Sequence, residues 1–114
     1  MKEVKQRRII NYEAQNGKVP YDIWFAGIKN KNLEVAVVKR LERVRRGDLG
    51  EYRTVGEGVK ELKFPAFGIR IYFAEFGDCI VLLLCAGDKA SQTKDIKKAK
   101  EYWSEYQSRT DEND

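Results

Sequence analysis

Three cations, Lys63, Arg70 and Lys89, have the types and spacing that could do chemistry in this 114-residue chain. Lys63 precedes the turn Pro65-Ala66-Phe67-Gly68, Arg70 stands two residues after Gly68, and Lys89 stands two residues after Gly87. Cations held together repel, so a fold gains nothing from gathering them unless an anion offsets the cost. Phosphate is the simplest ligand that would do so, and a guanidinium matches its oxygens well. Histidine is absent, so acid–base work would fall to Lys, Arg, Tyr, Asp or Glu. Two cysteines, Cys79 and Cys85, without an imidazole argue against a zinc site, and the acids show no clustered ligand spacing, so no metal is expected.

Turn geometry predicts whether these cations meet. A Phe64–Ile69 turn centred on Ala66 and Phe67 sets Lys63 opposite Arg70. A tight turn at Gly77-Asp78 pairs Phe76 with Cys79, Arg70 with Cys85, and brings Gly68 beside Gly87. Facing residues point the same way, so Lys63, Arg70 and Cys85 should share one face. Lys89 lies just past the end of the same strand. The competing reading is a surface network in which Glu57, Glu61 or Asp88 neutralises the cations. Tyr72 falls on the same face, opposite Glu61. It is either a platform for an unpaired base or a ring packed under a helix with its hydroxyl satisfied; packing is the favoured reading.

The elements that must position these groups follow from periodicity. Val4 to Tyr12 reads as a first strand. Pro20 can open a helix, and Tyr21, Trp24, Phe25 and Ile28 repeat at helical spacing before Gly27 and Asn30 break it. A second helix is expected over Lys31–Arg46, with the stripe Leu33, Val37, Leu41 and Val44. Strand-like runs then cover Glu51–Val55, Val59–Phe64, Ile69–Phe76 and Cys79–Ala86, the last apolar on both faces and so central. Ser91 can cap a final helix whose face is Ile96, Ala99, Trp103 and Tyr106. The expected class is α+β in the order β-α-α-β-β-β-α, with an antiparallel-dominated sheet covered by helices on one face. One domain should span residues 1–107, followed by a frayed polar tail over 108–114.

Composition bounds the rest. Hydrophobic residues make up 42% and charged residues 35%, as in a globular protein. The longest apolar run, Ile80 to Ala86, is too short to span a bilayer, and no apolar signal core follows the charged N-terminus, so a cytoplasmic location without membrane partners is expected. Six residues of strand would hold the two cysteines roughly 20 Å apart, beyond the about 7 Å that a disulfide tolerates. Reduced thiols are therefore expected. The net charge of +4 is uneven: residues 1–46 carry 12 Lys and Arg against 5 acids. That asymmetry fits either a polyanionic partner or a solvated helix face.

The segments VGEGVKELKF, GIRIYF and IVLLLCAGDKASQTKDIKKAKEY, together with WFAGIKNKNLEVAVVKRLERVRRGDLGEYRTVG, resemble the phage-type addiction-module killer proteins. These are a branch of the RelE/HigB superfamily of toxin–antitoxin toxins. The resemblance runs from about Pro20 to Tyr102 and preserves the order of spaced Gly, Arg and Lys positions. It implies a RelE-like fold and an mRNA interferase that cuts messages in the ribosomal A site. It also implies a cognate antitoxin, often a helix-turn-helix protein. The family's basic active-site positions correspond to Lys63, Arg70 and Lys89. Two positions depart from the pattern: Glu61 stands where some relatives have a basic residue, and Asp95 stands nearest the C-terminal Tyr or His that serves relatives as acid or base.

In such an enzyme the RNA 2′-hydroxyl attacks the adjacent phosphate. Arg70 would clamp the phosphate. Lys63 would be the base if neighbouring cations depress its pKa, with Glu61 the alternative. Lys89 would be a second phosphate contact or the acid. No cofactor is required. Lys39, Arg40, Arg43 and Arg46 on the basic helix would contact RNA backbone of the ribosome. The alternative function is a non-catalytic prophage regulator that binds nucleic acid or an antitoxin through the same cations.

Overall fold

The computed structural model describes residues 6–77 and 79–112. In chain order the elements are β1 (Arg8–Asn11), α1 (Pro20–Ala26), α2 (Lys31–Arg45), β2 (Tyr52–Gly56), β3 (Val59–Phe64), β4 (Ile69–Phe76), β5 (Ile80–Asp88) and α3 (Gln92–Glu112). The strands form one sheet in the order β1-β5-β4-β3-β2. β1 runs parallel to β5 and the other neighbours are antiparallel. This is a small α+β domain with a mixed sheet flanked by helices.

Several expectations need correction. The order β-α-α-β-β-β-α lacks one strand, because β2 pairs with β3 as a strand of its own. β1 is shorter than Val4–Tyr12, and Val4 and Lys5 lie outside the described residues. Helices cover both faces of the sheet, not one. Leu33, Val37, Leu41 and Val44 of α2 pack with Tyr21 on one face, against Leu62, Ile71, Phe73, Val81 and Leu83. Ala99 and Trp103 of α3 pack on the other, against Val59, Tyr72, Ala74, Leu82 and Leu84. A central strand pair that is apolar on both sides needs both covers to leave water.

The Lys63–Arg70 pairing is observed, as the Phe64–Ile69 turn requires. The β4–β5 register differs from expectation in two steps. Phe76 pairs with Ile80 instead of Cys79, so the loop is one residue longer, with Asp78 outside the described residues. A bulge then leaves Leu84 without a partner: Phe73 faces Leu83 and Tyr72 faces Cys85. Arg70 consequently opposes Gly87, not Cys85, and Gly68 lies past Ile69, which opposes Asp88. Two single-residue displacements add to two, so every side chain beyond the bulge returns to its expected face.

The polar tail is also helical. α3 continues to Glu112, past the expected end at residue 107. Arg109 pairs with Glu105 on its own helix, donates to the Glu13 carbonyl and lies over the Tyr12 ring. The Tyr12 hydroxyl donates to Glu105 at 2.6 Å, so the last turns are fastened to the loop after β1.

Arg40 joins α2 to the sheet. Its Nε donates to the Leu49 carbonyl at 2.8 Å, its Nη1 to the Lys63 carbonyl at 2.9 Å and its Nη2 to the Glu51 carbonyl. The guanidinium also lies over the Phe64 ring. Truncation would take a donor from the partly buried Leu49 and Lys63 carbonyls; the Glu51 carbonyl is exposed and also accepts from the Lys63 amide. We expect Arg40→Ala to lose about 2–4 kcal/mol in urea unfolding, and Arg40→Lys to recover only part, because an ammonium cannot reproduce the fork. A wild-type unfolding midpoint for Arg40→Ala would refute this role.

Both cysteines are free thiols. Burial pushes the Cys85 thiol up to about 12, with Asp95 adding to the effect. Raised in this way, it stays protonated and unreactive through neutral pH. Alkylation of the native protein should therefore modify Cys79 and spare Cys85 until the chain unfolds; equal labelling of both, read by mass spectrometry, would contradict the buried placement.

Candidate functional site

Two rows of side chains cross the sheet at the end away from the β4–β5 loop, on the α3 face. The inner row is Arg53, Glu61, Tyr72 and Cys85, one from each of β2, β3, β4 and β5. The outer row is Lys63, Arg70 and Gly87. The start of α3 roofs both. Gln92 Nε2 reaches Glu61 Oε2 at 3.4 Å, and the Cys85 thiol donates to the Asp95 carbonyl at 3.6 Å.

Gly87 is needed for this roof to close. A Cβ built there would overlap the Asp95 carboxylate and come within 2.6 Å of Ser91 Oγ. Ser91 Oγ lies 2.5 Å from Asp95 Oδ2, and Asp88 Oδ1 accepts from the Ser91 amide at 3.0 Å. Asp88 therefore braces the turn into α3; it does not neutralise the cations.

The charges are distributed unequally. Glu61 has 0% exposure, yet its carboxylate is matched: Arg53 Nε donates to Oε1 at 2.5 Å across the β2–β3 ladder. A buried carboxylate without such a partner would cost several kcal/mol, on the order of 3–5. Arg70 shows the opposite condition. Its Nε and Nη1 are buried and donate to nothing among the described residues. The Tyr72 hydroxyl is in the same state. Burial raises the Tyr72 phenol above its ordinary range, and Glu61 and Asp95 raise it further while Arg70 opposes them. Orphaned polar atoms of this kind call for an explanation, and an absent ligand is one.

The sequence-predicted residues thus meet different fates. Lys63 and Arg70 are neighbours at the sheet end. Lys89 is exposed in the bend one residue past β5 at that same end. Glu61 is sealed from solvent, which removes it from reach of a substrate hydroxyl. Tyr72 also has 0% exposure, so it cannot stack a base; it packs under α3 as favoured, but its hydroxyl is not satisfied. Arg40 is committed to backbone carbonyls, and Arg43 holds Asp48 at 2.9 Å. Lys39 is exposed on α2 and Arg46 is exposed just past its end. Lys39, Arg40, Arg43 and Lys63 line a shallow groove of about 360 Å³ with Phe64 and Phe67, adjoining the Lys63–Arg70 row. Arg53 and Gln92 were not anticipated, and Ser91 was anticipated only as the start of the final helix. Counting back across the Gly56-Glu57-Gly58 turn would have placed Arg53 beside Glu61, though the ladder shifts between Thr54 and Gly56.

Among the described residues no three His, Cys, Asp or Glu side chains cluster to hold a metal, and no helix is long and apolar enough to cross a membrane. No family model matches the chain. A protein of Haemophilus influenzae described only as uncharacterized is 36% identical over 81 residues, which cover 70% of this chain and 82% of that one. The chain belongs to the same family as this bacterial protein.

The roof over Gly87 gives a direct test. Gly87→Ala should destabilise the domain by about 1–3 kcal/mol, the usual range for forcing atoms into a filled site. Combining it with Asp95→Ala should recover part of the loss. Thermal unfolding of the four members of this double-mutant cycle checks the coupling; additive losses would mean that Asp95 does not press on Gly87.

Proposed function

We propose that this protein is the toxin of a toxin–antitoxin module, a metal-independent endoribonuclease with a RelE-like fold that cuts mRNA on the ribosome and is neutralised by a cognate antitoxin. The observation that carries this reading is Arg70: a cation drawn into the fold, with buried Nε and Nη1 donors that find no acceptor. An arginine left in that state is suited to a phosphate brought by a substrate. Lys63 beside it and Lys89 at the same sheet end add positive charge where a phosphorane would carry extra negative charge. The family resemblance supports the reading further, because these three residues occupy its basic active-site positions.

The chemistry needs three acts. The 2′-oxygen forms a bond to phosphorus as its proton passes to a base. The 5′-oxygen leaves with the electrons of its own bond to phosphorus and takes a proton from an acid. Meanwhile the two non-bridging oxygens gain charge. Arg70 serves the last act. Lys63 is the base, since Glu61 is sealed behind Arg53 and Gln92. Lys89, exposed and mobile in reach as a lysine stem allows, is the acid or a second phosphate contact. The groove beside Lys63, with Lys39 on its wall, offers the strand a continuation.

Induced expression of the wild-type chain should arrest growth and produce mRNA 5′ ends in phase with codons. Arg70→Ala should lower the cleavage rate by about 10²-fold or more, as removal of a charge-stabilising donor does. Growth arrest by Arg70→Ala at the wild-type level would remove Arg70 from the mechanism. Intact messages under arrest would favour the non-catalytic binding reading.

A further inference from the structure

Arg70 has a carboxylate within potential reach and does not use it. Glu61 and Arg70 occupy neighbouring strands on one face, diagonal across the ladder, because Glu61 opposes Tyr72 and Arg70 lies two residues from Tyr72. Diagonal neighbours of this kind are about 7–8 Å apart at the backbone, a separation that long side chains span. A buried glutamate and a half-buried arginine so placed would ordinarily pair. Here Glu61 is turned the other way, toward the edge strand β2, where Arg53 Nε meets it at 2.5 Å. Gln92 Nε2 takes the second oxygen at 3.4 Å. Each Glu61 oxygen thus has a donor other than Arg70, and Arg70 Nε and Nη1 have no partner among the described residues.

We infer that Arg53 is a positioning residue: by holding the buried Glu61 carboxylate on the β2 side, it keeps the Arg70 guanidinium free to take a phosphodiester oxygen. Arg53 does not touch the substrate. Its side chain is half-exposed on β2 while its partner is fully buried, so it acts through Glu61. This inference rests on the reading of Arg70 as the phosphate ligand and adds the reason that ligand is available. Without Arg53, the Glu61 side chain is released to turn across the ladder toward Arg70. An internal pair then competes with the substrate phosphate for Arg70.

The experiment measures binding, not cleavage, with a short oligoribonucleotide that carries 2′-deoxy sugars and cannot be cut. Arg53→Ala should weaken binding by about tenfold or more, the factor expected when an ion-paired hydrogen bond must first be broken. Arg53→Ala combined with Glu61→Gln should restore affinity, because a neutral amide does not capture Arg70. The Arg70 Nε–H resonance should move in Arg53→Ala and return in the double variant, a signature that general loosening of β2 would not give. Arg53→Met keeps the aliphatic stem over the strand and serves the same comparison if the alanine variant does not fold. Wild-type affinity in Arg53→Ala, or a double variant as weak as the single one, overturns the assignment of Arg53. Wild-type affinity in Arg70→Ala overturns the phosphate reading itself and this inference with it. Loss of binding in Arg70→Ala but not in Arg53→Ala leaves that reading standing and removes only Arg53.

Discussion

The structure depends on a sheet whose centre is closed to water on both sides. Ile71, Tyr72, Phe73 and Ala74 of β4 and Val81, Leu82, Leu83 and Leu84 of β5 are all buried, alternately under α1 and α2 or under α3. Such a layer excludes charge from its middle, since a lone ion there would cost more than its neighbours could return. Charge is confined to the sheet ends, to edge strands and to positions where a partner is built in. The proposed phosphate site follows from that exclusion. It lies at the end of β3, β4 and β5 where the cover thins to the first turn of α3, entered through Asp88 to Ser91.

Arginine is used repeatedly to join these layers, and the pattern makes its exception visible. Arg7 donates from Nε to Glu75 at 2.9 Å and from Nη1 to the Gly47 carbonyl at 2.7 Å, tying the start of β1 to the sheet and to the end of α2. Arg40 holds three carbonyls along the path from α2 to β3. Arg53 answers Glu61. In each case the planar fork meets acceptors in fixed geometry, which a lysine would not do as well. Arg70 is drawn into the same framework, yet its Nε and Nη1 have no acceptor among the described residues. A fold that satisfies its other inward arginines so fully has not left this one open for want of carbonyls or carboxylates nearby.

Much of this was legible because it depends on short-range rules. The turn residues Pro65 to Gly68 fix the Lys63–Arg70 pair, and the 3.6-residue stripe of α2 is the stripe that is buried. What was not legible depends on partners far along the chain. Nothing in Arg8 to Asn11 states that β1 lies parallel to β5. The stripes on α2 and α3 do not say that they face opposite sides of one sheet. Leu82, Leu83 and Leu84 are chemically alike, so no change of residue type marks the bulge. The last turns of α3 look frayed by composition, yet a Tyr12 hydroxyl about 90 residues earlier in sequence fastens them, a contact that local pattern does not encode. At the site, the three cations were readable as a group, whereas the match of Arg53 to Glu61 needed both the ladder and the burial of the glutamate.

The unpaired Leu84 has a consequence for what a change in the length of β5 would do. Up to Leu83, β5 alternates with Val81 and Leu83 toward α2; from Leu84 on, Cys85 and Gly87 take the α3 side. The strand changes phase in its middle. Leu84 and Cys85 stand in succession on the α3 side, so removal of Leu84 would close the bulge and leave Cys85 opposite Tyr72 and Gly87 opposite Arg70, on the face they hold now. A residue inserted before Cys85 has no such relief: it would add a second unpaired position or turn Cys85 and Gly87 to the other face, away from Asp95. The bulge is slack already taken up in the ladder: β5 can lose a residue at Leu84 with the two rows of the site still in line, and it cannot gain one.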